Sequence, residues 1–133
     1  MIKAILNHRG VDTWGSGAFG ASRGDRTHNG IDYACLPGAF VYAPVTGDVT
    51  KIGYPYADDT SYRYVEITDV NRQKHRIFYI NPTVTKGMTV IEGRTVIGEV
   101  QNIAARYGDP VGMINHVHYE IKDEHGNFIN PEG

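Results

Sequence analysis

The segment THNGIDYACLPGAFVYAPVTGDV, residues 27–49, joins a candidate metal-binding pair to the beginning of a β-rich domain. His28 and Asp32 are four positions apart, and Gly30 between them loosens the backbone so that both side chains can turn toward one point. The residues that follow are short apolar runs separated by Gly and Pro, which is typical of short strands joined by tight turns. The segment therefore predicts a turn-rich β-structure that carries His28 and Asp32 side by side.

Outward from this segment, the chain continues in the same pattern. It contains 16 glycines, six prolines and nine tyrosines, and its runs of β-branched and aromatic residues end in Gly, Pro, Asp or Asn. Only QNIAARYG, residues 101–108, has the character of a short helix. Residues 8–30 contain six glycines and are predicted to be a loop. We predict a mainly β single domain over residues 1–133, with strands at 39–43, 47–53, 62–68, 75–80, 95–100 and 117–122.

Charge and hydropathy exclude several classes of partner. The formal net charge of −2 and the pI of about 6.3 do not suit a phosphate-binding surface, so we expect no nucleic-acid partner. The apolar run near the N-terminus is too short for a signal-peptide core, and no stretch is long enough to span a membrane, so we expect neither a signal peptide nor membrane insertion. The lone Cys35 cannot form an internal disulfide and is expected to be a small buried hydrophobe.

A second polar cluster occurs near the end of the chain, in NHVHYEI, residues 115–121. In a β-strand, residues i and i+2 face the same way, so His116 and His118 are expected to point to one face of the sheet. Together with His28 and Asp32, they form a candidate site of imidazoles and one carboxylate. Catalytic zinc commonly takes three protein ligands of this kind and leaves a fourth position open.

Each cluster alone is weak evidence, because any histidine near an aspartate satisfies the first and solvated strand faces also carry the second. Their co-occurrence behind a glycine-rich segment favours a metal site, and a β-sandwich without any site would leave it unexplained. The remaining histidines, His8, His75 and His125, adjoin turn residues or charged residues and are expected at the surface.

These residues resemble the lysostaphin/LytM-type zinc endopeptidases of peptidoglycan. The segment 27–49 is similar to that family's H-x3-D motif and its PxGxxVxAPxxGxV hairpin. KGMTVIEGRTVIGEV, residues 86–100, is similar to the GxxVxxGxxIGxxG hairpin, and NHVHYEI is similar to the HLHFEI strand. The resemblance extends from about residue 19 to residue 122, with the motifs in the family's order.

The resemblance implies a compact antiparallel β-domain of the duplicated hybrid motif type, with a narrow groove over the metal. It implies one Zn2+ per chain, bound by His28, Asp32 and His118, with His116 acting on the water or the transition state. It also implies hydrolysis of peptide bonds in bacterial cell walls, so that the partner is a peptidoglycan peptide and the protein acts as a monomer. Three origins stay open for a domain of this kind: a phage particle, release through a holin-permeabilised membrane, or a longer chain of which it is a fragment.

The sequence departs from the family pattern at one position. The family carries a further catalytic histidine in a Y-x-H-L motif, whereas the matching strand here reads RIFYINP, residues 76–82. Tyr79 occupies the histidine's position, or Asn81 does so under a shifted alignment. The related leukocyte cell-derived chemotaxins have a similar FYIxP strand and keep zinc without a known peptidase activity. Tyr79 could donate a hydrogen bond to an oxyanion, but a phenol with a pKa of about 10 is a poor general base.

Two functions are therefore expected as alternatives. In the first, the protein is a zinc endopeptidase in which His116 and Tyr79 are the catalytic residues. In the second, it is a catalytically impaired zinc module whose groove binds peptide or glycan. Tyr54 and Tyr56 are candidate substrate-binding residues in either case. Tyr62 and Tyr64 could also line the groove, although ordinary strand packing explains these two equally well.

Overall fold

A computed structural model describes residues 30–103 and 115–131 in full and, before them, the backbone of five two-residue strands. All strand pairs are antiparallel. The strands, in chain order, are β1 (Asn7–His8), β2 (Val11–Asp12), β3 (Gly15–Ser16), β4 (Ser22–Arg23), β5 (Arg26–Thr27), β6 (Ile31–Ala34), β7 (Phe40–Tyr42), β8 (Gly47–Gly53), β9 (Tyr64–Thr68), β10 (Lys74–Phe78), β11 (Ile80–Pro82), β12 (Thr89–Val90), β13 (Val96–Val100), β14 (His116–Lys122) and β15 (Phe128–Ile129).

Two larger sheets make up most of the fold. The main sheet has eight strands in the order β1-β6-β14-β10-β9-β8-β12, with β15 paired to β14. The second sheet has the order β11-β13-β7, and β2-β3 and β4-β5 are separate two-stranded pairs. The chain leaves the main sheet after β10 and enters the second sheet at β11, and Tyr79 is the single residue between these two strands. No helix that could span a membrane is present in the part of the chain that the structure describes.

The core lies on one face of the main sheet. Because side chains alternate between the two faces of a strand, every second residue of β6, β9, β10 and β14 points into it. These side chains pack with apolar residues of the second sheet and its connections, and burial of this surface drives the fold. The buried cluster comprises Ile31, Tyr33, Val41, Ala43, Val49, Val65, Ile67, Ile77, Ile80, Val84, Val90, Ile97, Val100, Val117, Tyr119 and Ile121.

The opposite face of the main sheet carries the candidate site. One row of residues crosses five strands on this face, because Asp32 pairs with His118, His118 with Phe78, Phe78 with Tyr64, and Tyr64 with Gly53. A Cβ at Gly53 would lie 2.5 Å from the Tyr64 ring, so the glycine leaves room for that ring to lie over β8. The register of the sheet thus brings residues from distant parts of the chain into one line.

The structure confirms the antiparallel β-fold and a strand within each of the six predicted segments. The predicted strand 75–80 is wrong in one respect, because a φ of 72° at Tyr79 divides it between the two sheets. The prediction that 8–30 is a loop without regular elements is also wrong, since short antiparallel strands lie within it. In the predicted helix, residues 101–103 are not helical, and residues 104–108 lie outside the described residues.

His75 is buried, and its predicted place at the surface is wrong. Side chains alternate along β10, so Lys74 and Arg76 point to one face and His75 points to the core face. His75 is 5% exposed. Its Nε2 lies 2.8 Å from Oδ2 of Asp69, and its Nδ1 lies 2.6 Å from the hydroxyl of Tyr119. Both ring nitrogens therefore have hydrogen-bond partners, so that burying the ring costs little free energy. His125 is exposed, as predicted, and His8 lies outside the residues whose side chains are described.

Candidate metal centre

The carboxylate of Asp32 lies between two imidazole rings. Strands β6 and β14 are neighbours, and their register sets Asp32 directly opposite His118. Nδ1 of His118 is 2.9 Å from Oδ1 of Asp32, and Nε2 of His116 is 3.8 Å from Oδ2. Asp32 is 2% exposed and His116 is 4% exposed, so these groups are largely withdrawn from water. The fold thus brings together three of the four side chains that the sequence analysis selected.

His28, the remaining predicted ligand, lies outside the described residues. Within residues 30–103 and 115–131, no three His, Cys, Asp or Glu side chains are placed so that they could hold a metal ion. Two of the three predicted ligands, Asp32 and His118, are therefore in direct contact, and the ligand set stays a prediction.

The residues present suit a zinc ion in their chemistry. An imidazole nitrogen and a carboxylate oxygen facing one another are two of the donors that zinc prefers. Gly30, which immediately precedes β6, packs closely against the His118 ring. A Cβ at this position would lie 2.9 Å from Cε1 and Nε2 of His118 and 2.3 Å from the carbonyl oxygen of Tyr119. Only glycine allows the backbone to pass so close to the His118 ring.

His118 lies between two carboxylates. Its Nδ1 faces Asp32, and its Nε2 is 3.0 Å from Oε1 of Glu120. Burial lowers the pKa of His118, but the hydrogen bonds to Asp32 and Glu120 raise it by a larger amount. The net result is a pKa of about 9, above the ordinary 6.5. The metal-free ring therefore holds a proton at neutral pH. A metal ion that binds this ring must displace that proton, which makes metal affinity dependent on pH.

Glu120 is a site residue that the sequence analysis missed. It lies two positions after His118 on β14, so the period-2 rule that selected His116 and His118 also places Glu120 on the same face. Its cross-strand neighbour is Arg76, and the neighbour of Arg76 on the other side is Glu66. The signal was therefore present in the sequence as H-x-H-x-E.

Of the two candidates for the position of the family's second histidine, Tyr79 is the one whose ring contacts His116. Their rings meet edge to face, with centroids 5.4 Å apart and an angle of 83° between the planes. The N–H of Tyr79 donates to the carbonyl of Arg63 at 2.8 Å, and its carbonyl accepts from the N–H of Gln101 at 2.9 Å. Asn81 instead lies in β11 of the second sheet, where it lines an open cleft of about 530 Å³ with Ser61, Tyr62, Gln101 and Asn102.

The other selected tyrosines differ in their surroundings. Tyr56 stacks on Tyr79, with centroids 6.2 Å apart and an angle of 16°, and it meets Tyr62 edge to face. Tyr54 is half exposed and lies beneath the guanidinium of Arg63, 5.4 Å from the ring centroid. Tyr64 is buried against Phe78, with centroids 4.7 Å apart, as expected for strand packing. Tyr56 is thus the candidate substrate-binding residue nearest to Tyr79 and His116.

Comparison with known proteins identifies relatives of this chain. The model of peptidase family M23 matches residues 26–131. Leukocyte cell-derived chemotaxin-2 of Mus musculus is 33% identical over 120 residues, which cover 86% of this chain and 73% of the mouse protein.

Solved structures share the fold. A point mutant of the catalytic domain of EnpA, a prophage-encoded M23 protein of Enterococcus faecalis, superposes with a TM-score of 0.68 at 23% identity, covering 98% of this chain and 97% of that domain. Lysostaphin superposes with a TM-score of 0.64 at 18% identity, covering 83% of this chain. The chain spans 43% of the lysostaphin structure, so at this identity the likeness concerns the fold alone.

Proposed function

The chain belongs to peptidase family M23, and from this membership we propose that it is a zinc-dependent endopeptidase that hydrolyses peptide bonds of bacterial peptidoglycan. Family membership relates the chain to peptidases, and we propose the bound zinc, the peptidoglycan substrate and the catalytic activity in addition. We propose further that it acts as a monomer on the cell wall, carried there by a phage particle or released through a holin-permeabilised membrane.

One observation carries the proposal, namely the contact of Asp32 with both His118 and His116. His118 and Asp32 would hold the ion together with His28. A bound zinc ion supplies a Lewis acid for the scissile carbonyl and makes a water acidic enough to react at neutral pH. His116 would lie beside the ion without binding it. Its Nε2 is 3.8 Å from Oδ2 of Asp32.

The chain's own side chains would then orient the reactants and move protons. The neutral imidazole of His116 would accept a proton from the attacking water and return it to the leaving amine, as a general base and then a general acid. The hydroxyl of Tyr79, whose ring lies against His116, would donate a hydrogen bond to the oxygen on which negative charge develops. Tyr56, stacked on Tyr79, would form the nearby wall of the substrate groove.

The test is hydrolysis of purified cell walls, followed as loss of turbidity, with and without a chelator. Zinc-loaded wild type should clear the suspension, the chelator should stop it, and zinc should restore it. His116→Ala should retain zinc and lose most of the activity. Zinc-loaded wild type that releases no peptide fragments from any cross-linked wall would exclude the endopeptidase function.

A second function is favoured by Tyr79 and Asn81 at the positions where the resemblance leads us to expect a histidine, together with the similarity to chemotaxin-2. In this alternative, the protein is a zinc-containing module that binds peptide or glycan in the same groove without cleaving it. Zinc-loaded wild type would then bind soluble muropeptides in calorimetry and release no products. Tyr56→Ala should weaken this binding, whereas Val70→Ala, at an exposed position in the turn after β9, should not.

A further inference from the structure

Glu120 lies on the far side of the His118 ring from Asp32. Oε1 of Glu120 is 3.0 Å from Nε2 of His118, while Nδ1 of the same ring is 2.9 Å from Oδ1 of Asp32. Glu120 is 8% exposed, so little water competes for this contact. One imidazole is therefore held at both nitrogens, by a predicted metal ligand on one side and by a carboxylate with no assigned role on the other.

An imidazole that binds a metal must be neutral, with hydrogen on one nitrogen and a lone pair on the other. The acceptor at the nitrogen that does not bind metal decides which nitrogen keeps the hydrogen. Glu120 offers such an acceptor 3.0 Å from Nε2, so the hydrogen of His118 stays on Nε2 once Asp32 and Nδ1 bind the ion. The lone pair is then on Nδ1, which is the nitrogen that faces Asp32.

Glu120 has a positive charge as its cross-strand neighbour. On the main sheet it is directly opposite Arg76, which is directly opposite Glu66 on the next strand. Nε of Arg76 donates to Oε2 of Glu66 at 2.7 Å, and the hydroxyl of Thr50 donates to Oε1 of Glu66 at 2.8 Å. The guanidinium is thus held by Glu66, and the contact of Glu120 is the one with the His118 ring.

We propose that Glu120 is a positioning residue of the metal centre, which fixes His118 with Nδ1 free to bind the ion. It acts through His118 and does not touch the ion or the substrate. This inference rests on the proposed function in one respect, since it takes His118 as a ligand. It does not require that the protein cleave any bond.

Zinc affinity of the full chain, measured by competition with a chromogenic chelator at pH 7.5, tests the inference. Glu120→Met keeps the size of the side chain and removes the acceptor, so the dissociation constant should rise about 10–100-fold. Glu120→Gln keeps an acceptor oxygen and removes the charge, so it should stay within about threefold of wild type. Glu99→Met, the same change on β13 of the second sheet, is the matched control and should leave the affinity unchanged.

The two glutamate variants separate positioning from a simple charge effect. If Glu120→Gln loses as much affinity as Glu120→Met, the charge opposite Arg76 is what matters, and the positioning role is overturned. Glu120→Met with wild-type affinity overturns it as well. A wild type that binds no zinc overturns both this inference and the proposed function. A wild type that binds zinc and cleaves nothing removes the endopeptidase function alone.

Long-range ¹H–¹⁵N spectra of the zinc-loaded wild type give a result that does not depend on how any variant folds. The inference expects His118 as the tautomer with hydrogen on Nε2. A ring with hydrogen on Nδ1, or with zinc on Nε2, would contradict it.

Discussion

The ring of Tyr79 meets the ring of His116 at 83°, with 5.4 Å between their centroids, which places the tyrosine beside the strand that carries His118. If the Tyr79 hydroxyl stabilises the oxyanion, Tyr79→Phe removes that donor, together with the acceptor of a 3.5 Å hydrogen bond from the Tyr56 hydroxyl. Single-turnover hydrolysis of a cross-linked muropeptide should slow by roughly 100–1,000-fold. Zinc content and the melting temperature should not change.

Tyr42→Phe, the same change in β7 of the second sheet, is the control for this experiment. Its rate should stay near that of wild type. Tyr79→His, which introduces the histidine that the resemblance leads us to expect, should keep or raise the rate, and in an inactive binding module it should introduce weak hydrolysis. An active wild type whose rate is unaffected by Tyr79→Phe would argue against the oxyanion role and direct attention to Asn81.

The ligand set predicts different zinc contents for two neighbouring histidines. His28→Ala, Asp32→Ala and His118→Ala should each lose most of the one equivalent of zinc found by elemental analysis. His116→Ala should retain it, while hydrolysis falls about 100–10,000-fold through loss of the acid–base group. Full zinc in two of the first three variants would refute the assignment, and loss of zinc in His116→Ala would make His116 a ligand.

The stability of the metal-free protein should depend on His118. Its pKa of about 9 in the folded state is above the ordinary 6.5, so the folded protein binds this proton more tightly than the unfolded chain does. The contribution to the free energy of unfolding is therefore complete below pH 6.5 and is lost as the pH rises through about 9. Each pKa unit corresponds to about 1.4 kcal/mol, which makes the whole effect roughly 3 kcal/mol.

Urea unfolding in the presence of a chelator, at pH 6, 7.5 and 9.5, measures this loss. His118→Gln should show a flatter profile than wild type over the same range. Zinc-loaded wild type should not lose stability as the pH rises, because metal replaces the proton. Equal slopes for the metal-free wild type and His118→Gln would mean that another group causes the pH dependence.

Gly30→Ala should damage the site and the fold together. The added Cβ would lie 2.3 Å from the carbonyl oxygen of Tyr119 and 2.9 Å from the His118 ring, so β6 must move away from β14. We expect a loss of about 1–3 kcal/mol in the free energy of unfolding, and weaker zinc binding. Gly38→Ala is the comparison, since no atom lies within 4 Å of its Cβ and only a φ of 86° opposes it. It should leave zinc affinity unchanged.

The sequence was sufficient for the parts of the fold that depend on local pattern. Segments such as 47–53 and 117–122 combine β-branched and aromatic residues with clear turn residues at their ends, and they form β8 and β14. Ile31–Ala34 was not predicted as a strand, because aspartate and alanine are poor strand formers. It is a strand because β1 and β14 pair with it on either side, and this information is not local.

The errors within the site region have a similar origin. His75 was assigned to the surface from its charged neighbours, although its alternation with Ile77 would have placed it in the core. The division of 75–80 at Tyr79 could not be read from the residues, since nothing in FYIN demands a positive φ. The pairing of Asp32 with His118 could not be read from the residues, because register between distant strands is set by the whole sheet. The resemblance to the family supplied the link between them, since it makes both residues ligands of one ion.

The corner at Tyr79 limits which chemical groups can stand beside His116. At a φ of 72°, a backbone position disfavours most side chains, and the branched ones most of all, while asparagine, aspartate and histidine are accepted more readily than others. A tyrosine there costs about 1–3 kcal/mol, which the hydrogen bonds to Arg63 and Gln101 help to offset. Backbone shape therefore limits which substitutions this corner tolerates, and the side chains that it accepts most readily are polar groups able to exchange protons or form hydrogen bonds.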